Sequence, residues 1–308
     1  MNTALIQTEG LTKAYGRGVK ALDALTLTVN QGEIFGYLGP NGAGKTTTIK
    51  LLLDLIRPTA GRASVFGLDV NRDSVAIRRR VGFLPGELNL WDNQTSMQII
   101  RYFSKVRGGV DLEYVHQLAE RLQFDLNKRI RAYSTGNKRK IGLILALMHK
   151  PELLILDEPT SGLDPLMQQI FNQMMIEART AGQTVFLSSH VLGEVQTICD
   201  RVAILRGGQL QTVERVDHLT HVDFHWVTLR FRDTATVPRL TNVPGVSEVT
   251  VDGRTLKLRL QGDFDPVLRA LGDRYVEDIH VQDPTLEEIF LTYYGNGANN
   301  HAKVEMKS

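Results

Sequence analysis

The sequence predicts an α/β fold with a mostly parallel core sheet, extended at its carboxyl end by a small α+β domain. Three observations predict it. An apolar strand runs into a glycine-rich turn and then a helix between Ile34 and Ile56. From Gly136 to Gly208, helices and strands alternate. Near Val213 that alternation gives way to closely spaced strands.

Taken in order, residues 5–36 read as short strands separated by turns, ending in the apolar strand Ile34 to Leu38. The helix start TTTIKLLLDLI follows and stops near Pro58 and Gly61. Residues 63–100 hold a strand ASVFG, a polar segment and a strand VGFLP. Gln98 to Leu122 reads as helix, interrupted at Gly108-Gly109. Next come the helix GNKRKIGLILALMHK, the strand ELLILD, the helix MQQIFNQMMIEARTAG, the strand TVFLSS, the helix HVLGEVQTICD and the strand RVAILRGG. Such alternation builds a parallel sheet with helices on both faces. Beyond it, residues 224–231, 246–251 and 255–260 read as strands, the last pair a hairpin turning at Asp252-Gly253. A helix near 265–271, a strand YVEDIHV and a helix TLEEIFLTYY complete the segment. The expected organisation is a domain over 1–218, an accessory α+β domain over 219–293, and a tail over 294–308 without periodicity, expected to be disordered.

Composition narrows the function. The 308 residues are 42% hydrophobic, enough for a sizeable core. Lys and Arg number 36 against 34 Asp and Glu, a net charge of +2 that by itself says little about partners, and without a concentrated basic face no nucleic-acid partner is expected. The basic runs Arg78-Arg79-Arg80 and Lys138-Arg139-Lys140 read as ordinary solvated or locally paired faces. Cys199 is the only cysteine, which fits a reducing compartment, and its neighbours suggest a buried helical position. The first residues, MNTALIQTEG, do not read as an export signal. No apolar run approaches the roughly 20 residues a membrane span needs. A soluble protein is expected, reaching a membrane through a partner or its surface.

The segment GPNGAGKT, Gly39 to Thr46, matches GxxxxGK[ST] at every fixed position. The backbone around Gly39, Asn41, Gly42 and Gly44 would cradle the β-phosphate of a nucleotide at the start of the following helix. Lys45 would reach the β- and γ-phosphates, Thr46 would give its hydroxyl to Mg²⁺, and Thr47 would add a phosphate contact. The second half of the site is LLILDEP, Leu153 to Pro159. Its buried strand would deliver Asp157 to the carboxyl edge of the sheet, there to orient Mg²⁺ through water. Glu158, one residue on, is placed to polarise an attacking water.

With YSTGNKRK at 133–140, LLILDEPTSGLD at 153–164 and His190 after TVFLSS, the ordered series over residues 5–215 resembles the ATPase subunit of an ABC transporter. The resemblance implies a P-loop nucleotide-binding cassette, with an antiparallel β subdomain and a helical insert at about 90–145. It implies an ATPase that uses ATP and Mg²⁺. Two such cassettes, this chain with a second copy or a homologous cassette, would pair head to tail across ATP and drive transmembrane permease subunits, which would hold the chain on the cytoplasmic face of the membrane. The family's signature segment, usually LSGGQ, reads YSTGN here, so Ser134 and Gly136 correspond to the residues that contact the γ-phosphate across the pair. Asn137 reads as a cap for the following helix that can also donate through its side chain. Tyr15 matches the aromatic that stacks on adenine, Asp164 the loop that communicates between paired sites, and His190 the histidine that contacts the γ-phosphate.

One position departs from the family. Where a glutamine usually senses the metal and the attacking water, Gly86 stands, so that role is lost or moved to the neighbouring Glu87 as a metal ligand. The segment TLEEIFLTYYG at 285–295 resembles the end of cassettes from drug, antibiotic and polysaccharide exporters. Two other readings stay open: a cassette ATPase acting on nucleic acid or ribosomes, and a non-catalytic nucleotide-sensing module.

Overall fold

A computed structural model describes residues 3–16, 18–217, 224–234, 237–238, 240 and 242–282. The chain divides into two compact units between Arg215 and Val216. The first runs β1 (Ala4–Tyr15), β2 (Val19–Asn30), β3 (Ile34–Leu38), α1 (Lys45–Leu52), β4 (Ala60–Val65), β5 (Leu68–Asp69), α2 (Ser74–Arg80) and β6 (Val81–Leu84). It continues with α3 (Ser96–Val106), α4 (Leu112–Arg121), α5 (Thr135–Leu147), β7 (Leu153–Asp157), α6 (Pro165–Thr180), β8 (Thr184–Ser189), α7 (Leu192–Ile198), β9 (Arg201–Arg206) and β10 (Gln209–Arg215).

β1 and β2 pair with β4 and β5 in an antiparallel sheet ordered β2-β1-β4-β5. The two long strands replace the several short ones expected. Register shifts between Thr8 and Leu11 and between Leu11 and Lys13 absorb Gly10 and Ala24, both with positive φ, so what reads as a turn is a bulge within one ladder. The core sheet is ordered β10-β9-β3-β8-β7-β6, parallel except for β10. Every residue of β3, β7 and β8 is buried, the mark of strands covered on both faces. Where a polar segment was expected, α2 forms with Ile77 as its single buried residue, too weak an apolar stripe to announce a helix.

α3 opens on a capping box, the Thr95 hydroxyl accepting from the Gln98 N–H while the Gln98 side chain accepts from the Thr95 N–H. It ends before Gly108 and Gly109, both left-handed, and Asp111 caps α4. Cys199, buried directly after α7, has its thiol pushed up by burial and by the neighbouring Asp200 charge. Among the described residues, no helix is long and apolar enough to cross a membrane.

The second unit runs β11 (Phe224–Phe231), β12 (Val246–Asp252), β13 (Thr255–Gln261), α8 (Asp265–Leu271) and β14 (Val276–Gln282). Its antiparallel sheet is ordered β12-β13-β11-β14. Alternate residues of β11 and β13, among them Val227, Leu229, Leu256 and Leu258, share a core with Val267 and Leu271 of α8. The segment TLEEIFLTYY and the tail from 294 lie outside the described residues.

Candidate active site

Strand order decides what meets at the carboxyl edge of the core sheet. β8 lies between β3 and β7, with Leu38 opposite Ser189 and Ser188 opposite Asp157. The loops that leave these three strands begin at Gly39, His190 and Glu158, so segments more than a hundred residues apart in sequence converge there.

The first loop turns into α1 at Gly44, whose φ of 107° and position, where a Cβ would lie 2.4 Å from the Ala21 carbonyl oxygen, admit no other residue without displacement. Asn41 and Gly42 are exposed at the tip of the loop, whereas Gly39 is buried at its base. Lys45 is buried, and its ammonium donates to the carbonyl oxygens of Gly39 (2.6 Å) and Pro40 (3.3 Å). The Thr46 hydroxyl donates to Oδ2 of Asp157 at 2.8 Å, and Thr47 is half-buried beside it. One residue on, the Thr48 hydroxyl bonds both the Gly44 carbonyl and the Tyr37 phenol, which ties the start of α1 to β3. Burial pushes the Tyr37 phenol up, so it stays protonated.

The acidic pair is held from the neighbouring strand. The Ser188 hydroxyl donates to Oδ1 of Asp157 at 2.5 Å, and the Glu158 N–H donates to the Ser188 hydroxyl and carbonyl at 3.1 and 3.2 Å. Glu158 has a φ of 50°, in the left-handed region a glutamate rarely adopts. Its carboxylate lies between two nitrogens: Oε1 is 3.3 Å from Nζ of Lys45 and Oε2 is 2.7 Å from Nδ1 of His190. Lys45, Thr46, Asp157, Glu158 and His190 therefore form one connected polar network.

The oxygen pair of Thr46 and Asp157 fits a magnesium ion, which takes hard oxygen ligands and keeps waters or substrate oxygens for the rest of its shell. Among the described residues no three His, Cys, Asp or Glu side chains gather as a metal cage, so such an ion would share its coordination with phosphate. Glu87 is exposed and makes no described hydrogen bond or ion pair. Position 86 faces the site instead: a Cβ there would lie 3.1 Å from Oδ2 of Asp157.

Ser134 and Gly136 open α5. The cap is Ser134, not Asn137: the Ser134 hydroxyl accepts from the Asn137 N–H at 3.3 Å. Gly136 lies so close to the 161–164 loop that a Cβ would be 2.5 Å from the Gly162 carbonyl oxygen. Asp164 closes that loop as the cap of α6, accepting from the Met167 N–H at 3.0 Å. Tyr15 is exposed at the end of β1 with the Lys13 ammonium 5.2 Å above its ring.

Residue patterns did not single out Ser188, Arg139 or Glu194. Ser188 lies in the quoted strand TVFLSS, but a serine at a strand end carries no signal by itself. Glu194 accepts from Thr160 at 2.6 Å and Ser189 at 2.8 Å, joining the loops after β7 and β8. Within the run read as a solvated or locally paired face, Arg139 departs from that reading: it is buried, whereas Lys138 and Lys140 stay partly exposed.

A family model described as ABC transporter matches residues 22–161. The chain is also 38% identical over 223 residues to a bacitracin transport ATP-binding protein of Bacillus licheniformis, covering 70% of this chain and 72% of that protein. The chain belongs to the ABC transporter ATP-binding proteins. A linearmycin resistance ATP-binding protein of Bacillus subtilis is 30% identical over 307 residues, covering 94% of this chain and 98% of its own length, so this likeness spans the second unit. Among solved structures, the ATP-binding subunit of an ABC transporter aligns with a TM-score of 0.64 at 29% identity, covering 70% of this chain and 91% of that one. The dimeric post-hydrolysis state of an ATP-binding cassette bound to ADP and Pi has the same TM-score at 22% identity, covering 69% of this chain and 99% of that one, and shares the fold. This chain is an ABC ATPase, binding ATP and hydrolysing it.

Proposed function

We propose that this ABC ATPase drives an exporter, with two cassettes closing head to tail on ATP and Mg²⁺. The single observation that carries the reading is the Glu158 carboxylate held between Lys45 and His190, beside the Thr46–Asp157 oxygen pair. Such a constellation suits in-line attack of water on a terminal phosphate. Glu158 accepts a proton from water as the new oxygen–phosphorus bond forms. The bond to the ADP oxygen breaks, and Lys45 with the amides of the 39–46 loop offsets the charge gathering on the phosphate oxygens. His190 holds the Glu158 carboxylate in line. Thr46 and Asp157 would hold Mg²⁺, which when bound offsets further phosphate charge. Thr47 adds a phosphate contact, and Tyr15 stacks on the adenine.

The start of α5 supports the paired arrangement, because Ser134 is exposed and Gly136 half-buried there, open to a nucleotide held by a second cassette. The exporter direction rests on relatives named for bacitracin transport and linearmycin resistance. A permease would hold the chain on the cytoplasmic face. Trp91 and Tyr102, both half exposed and in edge contact at 4.9 Å, give α3 and the segment before it an aromatic surface suited to such a partner. We assign the ATP site to residues 1–218 and an accessory role to 219–293.

The pairing is tested by sizing the Glu158→Gln protein with and without ATP. A dimer that forms with ATP and Mg²⁺ and dissolves without them is expected. A monomer under both conditions, at concentrations where ATP is bound, contradicts head-to-tail closure.

A further inference from the structure

Arg139 lies in α5, five residues after Ser134, and is 5% exposed. No carboxylate side chain pairs with it among the described residues. Its guanidinium instead donates to backbone carbonyls from two different segments. One side reaches Pro85 at 2.7 Å and Gly86 at 3.0 Å, after β6. The other reaches Pro159 at 3.3 Å, together with Asp157 and Glu158, at the end of β7. A buried charge is tolerated when its hydrogen-bonding groups are all met, and an arginine has five N–H donors in a rigid fork to offer. Burial pulls the guanidinium pKa below its ordinary value while the charges of Asp157 and Glu158 oppose that, and it remains a cation.

The carbonyls it holds are those that set the direction of Glu158. With a φ of 50°, Glu158 occupies a conformation that must be held by its surroundings. Its N–H is fixed by Ser188, and its own carbonyl and that of Asp157 are fixed by Arg139. The same guanidinium holds the loop at Gly86, a position with no side chain of its own to reach the site.

We propose that Arg139 is a positioning residue that couples the start of α5 to the catalytic carboxylate. A nucleotide engaging Ser134 from a second cassette would move α5, and Arg139, about 7.5 Å further along the helix, would carry that movement to Glu158 and the 85–86 loop together. This rests on the head-to-tail reading above.

The test is a double-mutant cycle between Arg139→Lys and Glu158→Gln, with ATP affinity measured beside turnover. Lysine keeps the charge but loses the planar fork that spans both segments. Arg139→Lys is expected to lower kcat at least about tenfold, with ATP affinity changed less than about threefold. In the Glu158→Gln background the further loss is expected to be under about twofold, because the effect runs through Glu158. An unchanged kcat, or losses that multiply in full, overturns the proposal. Should Arg139→Lys not fold, hydrogen exchange on the Glu158→Gln protein decides it. ATP is expected to protect residues 134–142, 84–88 and 156–160 together, and protection confined to 134–142 overturns the coupling. A Glu158→Gln protein that still hydrolyses ATP counts against the assignment of the base. An inactive Glu158→Gln beside a fully active Arg139→Lys counts against Arg139 alone.

Discussion

The ammonium of Lys45 lies 3.3 Å from Oε1 of Glu158, so the cation of the phosphate loop is paired with the carboxylate assigned to activate water. The same ammonium donates to the Gly39 carbonyl at 2.6 Å, folded back on its own loop. A phosphate arriving at Lys45 must compete with both partners. Phosphate binding would therefore draw Lys45 away from Glu158 and from the Gly39 carbonyl together.

Removing the cation should cost affinity first. Lys45→Ala deletes the charge-assisted contacts to the phosphates, each worth about 1.5–3 kcal/mol, and is expected to weaken ATP binding by roughly 10–100-fold. Titration calorimetry with ATP and Mg²⁺ measures this. Wild-type affinity in the folded variant would remove Lys45 from the site.

The 86–87 loop yields a contrast. From the residues alone, the metal role at Gly86 is either lost or moved to Glu87, and in the structure position 86 rather than Glu87 lies against Asp157. Glu87 is exposed, so Glu87→Ala should leave the ATPase rate and its Mg²⁺ dependence within about twofold. Gly86 has ordinary backbone geometry, yet a methyl there would press on Asp157 at 3.1 Å. Gly86→Ala should therefore lower turnover several-fold, roughly as a small misplacement of a ligand does. A Mg²⁺ titration of both variants reads the outcome, and a larger effect at Glu87 would restore it as a ligand.

How far the residues alone could go is visible in this loop and its neighbours. The five-residue apolar runs at 34–38 and 153–157 and the motifs after them put Lys45 and Thr46 at the start of a helix and Asp157 and Glu158 at the end of a strand, because fully buried strands and glycine turns leave strong local patterns. That β8 lies between β3 and β7 is a property of topology, and only it explains why His190 reaches Glu158. Arg139 stayed hidden for another reason. Its partners are backbone carbonyls, which have no residue identity, so its basic run read as a solvated or locally paired face. Asn137 was a plausible cap by type, but Ser134 already had the extended backbone and reach for that role.

His149 makes stability sensitive to acid. Its Nε2 faces the Val81 carbonyl at 3.2 Å, while Nδ1 is buried without a hydrogen-bond partner. Burial, and after it the Arg107 charge, pushes its pKa down to about 4 from 6.5. The unfolded chain therefore binds a proton that the folded chain refuses between those values, and stability falls as pH drops from 6.5 toward 4. Because the ring is partly exposed, the effect at pH 5 should be about 1 kcal/mol. Urea unfolding of wild type and His149→Gln at pH 7 and pH 5 should show the wild type losing more stability by that margin. Equal losses would mean His149 protonates freely in the fold.

The two units make a further expectation. Every residue assigned to the ATP site precedes Arg215, where the first unit ends. A fragment of residues 1–218 should bind ATP within about threefold of the full chain, because every residue assigned to the site lies within the first unit. A folded fragment that fails to bind ATP would show that the second unit completes the site.

The central claim is that Glu158 takes the proton from the attacking water. It is tested most directly by the steady-state ATP hydrolysis rate of the Glu158→Gln protein, with its ATP affinity measured in the same preparation. Glutamine keeps the shape and the contact with His190 but cannot accept that proton at neutral pH. Retained binding and a turnover lower by about 10²–10⁴-fold are expected. Turnover near wild type with ATP bound would contradict it and assign the proton to another group.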